Sequence, residues 1–580
     1  MSTVSHTALA GDPPAAAGFW PRFDRWTSGW RGPVLAAILV LLSALPGLFA
    51  LPPLDRDESR FAQATAQMLE TGDFINIRYQ ADPRYKKPVG IHWLQAASVR
   101  LLSSVEKRQI WPYRIPSLVA GMAAAAACAW GASVFLGPRA AVLAGGVLGA
   151  SFLLSSEAFI GKTDAVLCGA TTLSMAALGR LYGASRGIGE GRFACRLFLW
   201  LGLAVGILDK GPITPMVVGL ALIALAVADR NARWMARLGW IWGLVLVAVI
   251  VGPWAVAITV ATDGGFWTGA VNGDLAPKLA GGHETHGGPP GLHALLLSPL
   301  IFPSTFLLPA ALVAGWRGRR ETGVRFALAW LVPSWIAFEL LPTKLVHYTL
   351  PTFGSLAWLA AAAVTQPALR AFGPRTRWIG AGLSVLIGAL FAAVTITCQV
   401  RYGVAGSWPW AIVVALFALA TGATGALALF RRRPATGLLI SLALGAAMHM
   451  VLTGVLAPQL TALFSSDQAA KALARDHLDP RNGVTTGPPV LVGYAEPSLV
   501  FALGTGTELD DAADGADSVS DGQPAIVEKK QDKAFRAALA AQKVAAKPVD
   551  EIKGFDYSIG KPVDLTIWRS LAPPPTDTAP

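Results

Sequence analysis

The sequence predicts an all-α polytopic membrane protein of about thirteen transmembrane helices, with a small α/β domain at its C-terminal end. Three observations lead there. Of 580 residues, 53% are hydrophobic and only 14% are charged, at a mean hydropathy of +0.49, whereas about a quarter of a soluble domain is charged. Apolar stretches of roughly 20 residues, the length that crosses a ~30 Å hydrocarbon core, recur along the chain. They lack the alternation over about 10 residues that marks a β-barrel. Basic residues gather between these stretches and not along one soluble face, so the net charge of +12 reads as topology and excludes nucleic acid as the expected partner.

Spans are expected at 33–53, 114–135, 140–158, 164–184, 196–209, 211–228, 238–260, 294–315, 324–341, 346–364, 378–399, 408–429 and 435–457. With the N-terminus inside, Arg139 and the clusters at 180–196, 230–237, 317–325, 370–377 and 431–433 all fall on the cytoplasmic side, as the positive-inside rule requires. One missed span would invert every later loop. The weakest pair is 196–228, where Lys210-Gly211-Pro212 interrupts the apolar run. Residues 1–32, polar with Pro13-Pro14, Arg22, Arg25 and Arg31 and no evident cleavage site, read as a cytoplasmic tail. The membrane domain is 33–457, with outward loops at 54–113 and 261–293. In the first loop, Arg60 to Glu70 and Ile91 to Leu102 have helical periodicity and are expected along the membrane surface.

The α/β domain is expected over 458–572. Strands are read at Val490–Tyr494 and Val563–Trp568, and helices at Pro497–Leu503 and Asp532–Val544. The acidic stretch Glu508–Gln523 reads as a mobile loop and 573–580 as a disordered tail. Cys128, Cys168, Cys195 and Cys398 lack metal-ligand spacing and read as packing residues.

Chemistry is sought first in Asp55-Arg56-Asp57-Glu58-Ser59-Arg60, just past the first span, because a carboxylate near a bilayer is costly without a partner. Asp57 and Glu58 are the candidate catalytic acids, with solvated loop acids as the equal alternative. Glu157 and Asp164, the latter in Gly161-Lys162-Thr163-Asp164, face the same side. Arg84-Tyr85-Lys86-Lys87-Pro88, ahead of His92 and Trp93, suits a phosphate at headgroup level, or lysines resting on anionic lipid.

These motifs, in order, resemble a known family. Arg56-Asp57-Glu58-Ser59-Arg60-Phe61-Ala62, Met68 to Phe74, Lys87-Pro88 with Trp93, Tyr113-Arg114-Ile115-Pro116-Ser117, Thr163-Asp164, Lys210-Gly211-Pro212, Gly252-Pro253-Trp254 and Lys344 to Pro351 are similar to the bacterial aminoarabinose lipid A transferases. That group is related to the protein O-mannosyltransferases and has the GT-C membrane fold. The likeness runs over roughly residues 35–360, with an echo in Tyr557-Ser558-Ile559-Gly560. It implies an inner-membrane enzyme that moves a sugar, whether aminoarabinose, a hexose or a uronic acid, from a polyprenyl (undecaprenyl) phosphate carrier to a periplasmic-face acceptor, lipid A first among them and other glycans or protein hydroxyls after it. Carried over by position, Asp57 matches the first-loop catalytic aspartate and Asp164 a second acid. Lys87 matches a lysine that holds the donor phosphate, and Tyr348, with Lys344 nearby, an aromatic residue close to it. Arg60 and His347 are expected in support.

In one respect the chain departs from the pattern. Where relatives read Glu-Lys-Pro this chain has Lys86-Lys87-Pro88, so an acid that helps bind a metal in some members is replaced by a cation. No cofactor is therefore expected to be required, and a divalent metal is disfavoured. His283, Glu284 and His286 of the second loop form an incomplete zinc set. They are expected instead to gate the cavity and hydrogen-bond sugar or phosphate, as a similar run does in relatives. Lys210 admits a structural reading, at a helix break. A lipid or lipid-linked sugar flippase would share the spans and helix breaks, but its charged residues would lie near the midplane, whereas these cluster at one face.

Overall fold

The computed structural model describes residues 18–280, 287–479, 481 and 487–571. The expected tail 573–580 and most of the expected 1–32 segment lie outside the described residues; within the latter, Phe19–Trp26 is a helix.

Among the described residues, eight helices are long and apolar enough to cross a membrane. The break expected between the spans 114–135 and 140–158 is present: the helical run Trp111–Gly149 is interrupted where Gly137 adopts φ +81° before Pro138. A side chain at that φ is strained and proline cannot continue the hydrogen-bond ladder, so these two residues part the helices in the short gap between the expected spans. The expected spans 211–228, 294–315 and 346–364 contain shorter apolar helices, Ile213–Asp229, Thr305–Arg317 and Leu350–Thr365. The core lies among these helices, with Trp330, Trp358 and Phe326 packed ring against ring.

The first outward loop is packed between other elements. Its helix Asp57–Thr71 buries Ser59 and every residue from Phe61 to Met68, because it is sandwiched between the helix Gly90–Leu102 and the C-terminal domain. Between the two loop helices runs a short hairpin of β1 (Arg78–Tyr79) and β2 (Asp82–Pro83).

The C-terminal domain holds a five-stranded sheet formed by β3 (Val490–Val492), β4 (Glu508–Asp510), β5 (Ala525–Glu528), β6 (Ala546–Asp556) and β7 (Lys561–Ser570), in the order β4-β3-β5-β7-β6. The first three strands run parallel, and β7 closes antiparallel on β5. The stretch expected to be a mobile loop is ordered. Its residues form β4 and the helix Ala512–Ser520, whose first amides are capped by the Asp511 carboxylate and whose Gly515, Ala516 and Val519 are buried. Acidic composition masked a capped amphipathic turn.

This domain clamps the start of the first loop. The Asp55 amide donates to Tyr557 Oη at 2.6 Å and Arg56 Nε to Ser558 Oγ at 2.9 Å, while Gln63 donates to Thr505 at 2.7 Å. Arg56 itself sits at φ +60°, ψ −94°, a conformation held only when surrounding contacts over-determine it.

Candidate active site

Asp57, Arg60, Lys87, Asp164, His347 and Tyr348 come together. They line one chamber of about 360 Å³, joined by Arg84, Lys86, Lys162, Lys210, Asp274, Lys278 and by Tyr557 and Ser558 of the C-terminal domain. Asp57 is exposed, and its carboxylate has no hydrogen-bond partner among the described residues. It is the first residue of its helix, at the positive end of the macrodipole.

Facing it, Asp164 begins the helix Thr163–Ala184 and is the hub of a buried charge cluster. Lys210 Nζ donates to it, Lys162 Nζ lies at 3.4 Å and His347 Nε2 at 3.5 Å. Lys162 also pairs with Glu157 at 3.1 Å. Lys210 is delivered by the interruption noted in the sequence: Gly211, at φ +63°, turns the chain between two helices and leaves the ammonium at their junction, 5.8 Å from the centre of the Tyr348 ring. Gly90 permits this junction to pack against the first loop, since a Cβ there would meet the Leu208 carbonyl oxygen at 2.6 Å.

A second, apolar cavity of about 240 Å³ opens beside the chamber, lined by Ile213, Phe266, Trp267, Val271, Leu275 and Phe338. The two share a wall of Lys86, Lys87, Lys210, Asp274, Lys278, Thr343, His347 and Tyr348. Cations thus sit at the boundary between a polar room and an apolar groove. Across that boundary Asp274 bridges two of them, at 2.8 Å from Lys87 Nζ and 2.6 Å from Lys278 Nζ. Burial lowers the Lys87 ammonium to a pKa of about 8; Asp274 resists the shift, while Lys278 and Lys210 add to it. Burial alone would raise the Asp274 carboxyl, but the two lysines hold it below its ordinary value.

Other expected residues lie elsewhere. Glu58 is 1% exposed and turns away from the chamber, because successive helical residues point about 100° apart. Its carboxylate takes a forked pair of bonds from Arg114 at 2.7 and 2.8 Å and accepts the Leu54 and Gly161 amides. It ties the loop to the membrane helices and does not touch the reaction space. The Lys344 side chain likewise lies outside the chamber: its ammonium donates to the Glu339 and Leu341 carbonyls, closing the end of the helix Thr322–Leu340 as a cation does at a C-terminus. His283, Glu284 and His286 lie outside the described residues.

Lys278, Asp274 and Lys162 were not singled out by sequence reasoning. The first two form an i,i+4 acid–base pair in the second outward loop, a signal too common to stand out.

Glu157, Asp164 and His347 also present donor atoms within 4.8 Å of one another, the one cluster of this kind among the described residues. Lys162 and Lys210 already contact these carboxylates, so the set is compensated by ammonium charge and does not suit a divalent cation. No metal-dependent step is derived from it.

Comparison with known proteins fits this geometry. The chain is 30% identical over 399 residues to the undecaprenyl phosphate-α-4-amino-4-deoxy-L-arabinose arabinosyl transferase of Pseudomonas aeruginosa, covering 66% of this chain and 70% of that one. It belongs to this arabinosyl transferase family. The Edwardsiella ictaluri member is 27% identical over 386 residues, covering 65% of this chain and 67% of its own. Residues 86–256 match the dolichyl-phosphate-mannose-protein mannosyltransferase family model. The fold is shared with ArnT from Cupriavidus metallidurans. Its apo structure superposes with a TM-score of 0.70 at 20% identity over 95% of this chain and 98% of that chain. The form bound to undecaprenyl phosphate gives 0.68 at 19% identity, covering 92% and 97%. As a family member the chain is a polytopic membrane glycosyltransferase that uses a polyprenyl-phosphate-linked sugar.

Proposed function

We propose that this transferase moves an aminoarabinose-type pentose from undecaprenyl phosphate to lipid A at the periplasmic face of the inner membrane. The observation that carries the reading is the shared cationic wall between an apolar groove and a polar chamber. The prenyl chain enters between Phe266, Trp267 and Val271. Its phosphate meets Lys87, Lys278 and Tyr348, displacing Asp274, and the sugar projects towards Asp57.

In the transfer step the bond between the anomeric carbon and the donor phosphate oxygen breaks, and that oxygen keeps the electron pair. The acceptor oxygen forms the new bond from the opposite side, inverting the centre. Ammonium groups at the boundary stabilise the charge that gathers on the departing phosphate, and they act more strongly there than in water. For a hydroxyl acceptor Asp57 takes the proton. For a phosphate acceptor no proton is removed, and Asp57 stabilises positive charge at the anomeric carbon.

The test is mass spectrometry of lipid A and polyprenyl-phosphate sugars from a deletion strain carrying wild-type or Asp57→Asn protein. Loss of one pentose from lipid A with accumulation of its lipid-linked donor, reversed only by wild type, supports the reading. Asp57→Asn is expected to lower transfer by ~10²–10⁴-fold. Unchanged lipid A with accumulated donor would reject the acceptor, and no change in either pool would reject the transferase reading.

A further inference from the structure

At the other end of the helix bundle lies a larger cavity, about 600 Å³. The helix Phe353–Thr365 connects the two: it follows Tyr348 of the chamber wall and ends beside Gln366 of this cavity. Six arginines line it, Arg139, Arg317, Arg370, Arg377, Arg432 and Arg433, and no carboxylate does. Arg139 pairs with Asp24, and Arg317 is bonded to the Leu369 and Arg370 carbonyls. The side chains of the other four have no hydrogen-bond or ion-pair partner among the described residues, and Arg377 Nε is buried without one, as is Gln366 Oε1. Two long helices, Pro374–Tyr402 and Pro434–Val451, start at this wall with no side-chain cap, adding the positive ends of their dipoles.

The positive-inside rule accounts for arginines on this face. It does not account for their convergence on one hollow with no acid among its lining residues: Arg370, Arg432 and Arg433 are exposed around it, while Arg377 is partly buried with Nε unpartnered, and like charges brought together repel. We propose that this cavity binds the phosphate headgroup of an anionic phospholipid, with a diphosphate headgroup of the cardiolipin type the best match to four open guanidiniums. Guanidinium pairs with phosphate oxygens through two parallel bonds. Ala363, Val364, Phe372 and Leu429 supply apolar wall for the start of the acyl chains. The site is separate from the donor cavity and does not depend on the sugar-transfer reading.

The experiment uses the full chain in neutral detergent, titrated with cardiolipin, phosphatidylcholine or inorganic pyrophosphate, and read by native mass spectrometry and thermal unfolding. Cardiolipin should bind saturably, weaken with salt and raise the melting temperature, whereas phosphatidylcholine should not. The double variant Arg377→Gln/Arg432→Gln should bind cardiolipin about 30-fold more weakly, the scale of two lost surface arginines, while sugar transfer persists. Arg320→Gln, an exposed arginine of a neighbouring loop outside the cavity, should leave binding intact and so controls for general charge loss. Equal stabilisation by phosphatidylcholine, or equal cardiolipin binding by the double variant, would overturn the proposal. Pyrophosphate binding as tightly as cardiolipin with the same arginine dependence would overturn the lipid assignment in favour of a soluble phosphate.

Discussion

The reaction chamber and the arginine cavity are both basic, yet they handle charge in opposite ways. In the chamber Lys87, Lys162, Lys210 and Lys278 each touch a carboxylate. In the cavity four arginines touch none among the described residues. Paired ammoniums are held in place before a ligand arrives, and on the proposed reading an incoming phosphate exchanges with Asp274. Guanidiniums gathered without acids repel one another, and an anionic occupant relieves that repulsion. Lysine suits the first task, since burial tunes its proton affinity; arginine stays charged under all conditions and suits the second.

The most severe break of the pairing logic is Glu58→Ala. It leaves the fully buried Arg114 guanidinium with backbone carbonyls but no counter-charge, and losing one partner of such a pair costs about 3–5 kcal/mol; chemical denaturation should show it, with little folded protein recovered. Next is Lys87→Gln, which removes a charge-assisted contact of about 1.5–3 kcal/mol. The donor KM should rise by roughly one to two orders of magnitude, with kcat less affected.

The same lysine sets a pH limit. Because its ammonium loses its proton near pH 8, kcat/KM of the wild type should fall as pH rises through that value, since this ratio reports the free enzyme. Asp274→Asn sharpens the comparison: it removes the carboxylate that supports the charged form of Lys87, so the alkaline fall should move to lower pH. An unmoved limb would mean that Asp274 does not govern Lys87. The smallest effect is expected from Arg370→Gln in the cavity. With no partner to lose, the ligand-free protein should melt within ~0.5 kcal/mol of wild type or slightly above it, whereas a clear destabilisation would reveal a hidden pairing.

Much of this was legible in the sequence, for reasons that also mark where legibility stopped. Apolar runs and arginine clusters announced the spans, because a bilayer imposes length and charge rules on each helix separately. The break at Gly137 falls in the gap at 136–139, where Gly137-Pro138-Arg139 interrupts the apolar run. Asp57 and Glu58 are neighbours of one charge type, and only the direction each takes from the helix separates a residue facing the chamber from one tied to Arg114. Lys344 sits four residues before Tyr348, yet the carbonyls of a finished helix claim its ammonium first. Lys278 and Asp274 belong to a loop whose role emerges only when residues far apart in sequence close around one space. Acidic composition concealed the helix Ala512–Ser520, whose start depends on a single capping side chain, Asp511.

The left-handed backbone at Arg56 has a consequence for how the molecule is made. The bonds from Tyr557 and Ser558 that hold the turn beside Asp57 come from the connection between β6 and β7, 502 residues further along the chain, so the turn emerges in synthesis long before its clamp. A truncated chain would retain its membrane helices and lysine wall yet carry an unfastened reactive turn. On the proposed reading, the turn beside Asp57 therefore takes its working shape only after the C-terminal domain has been made and has docked.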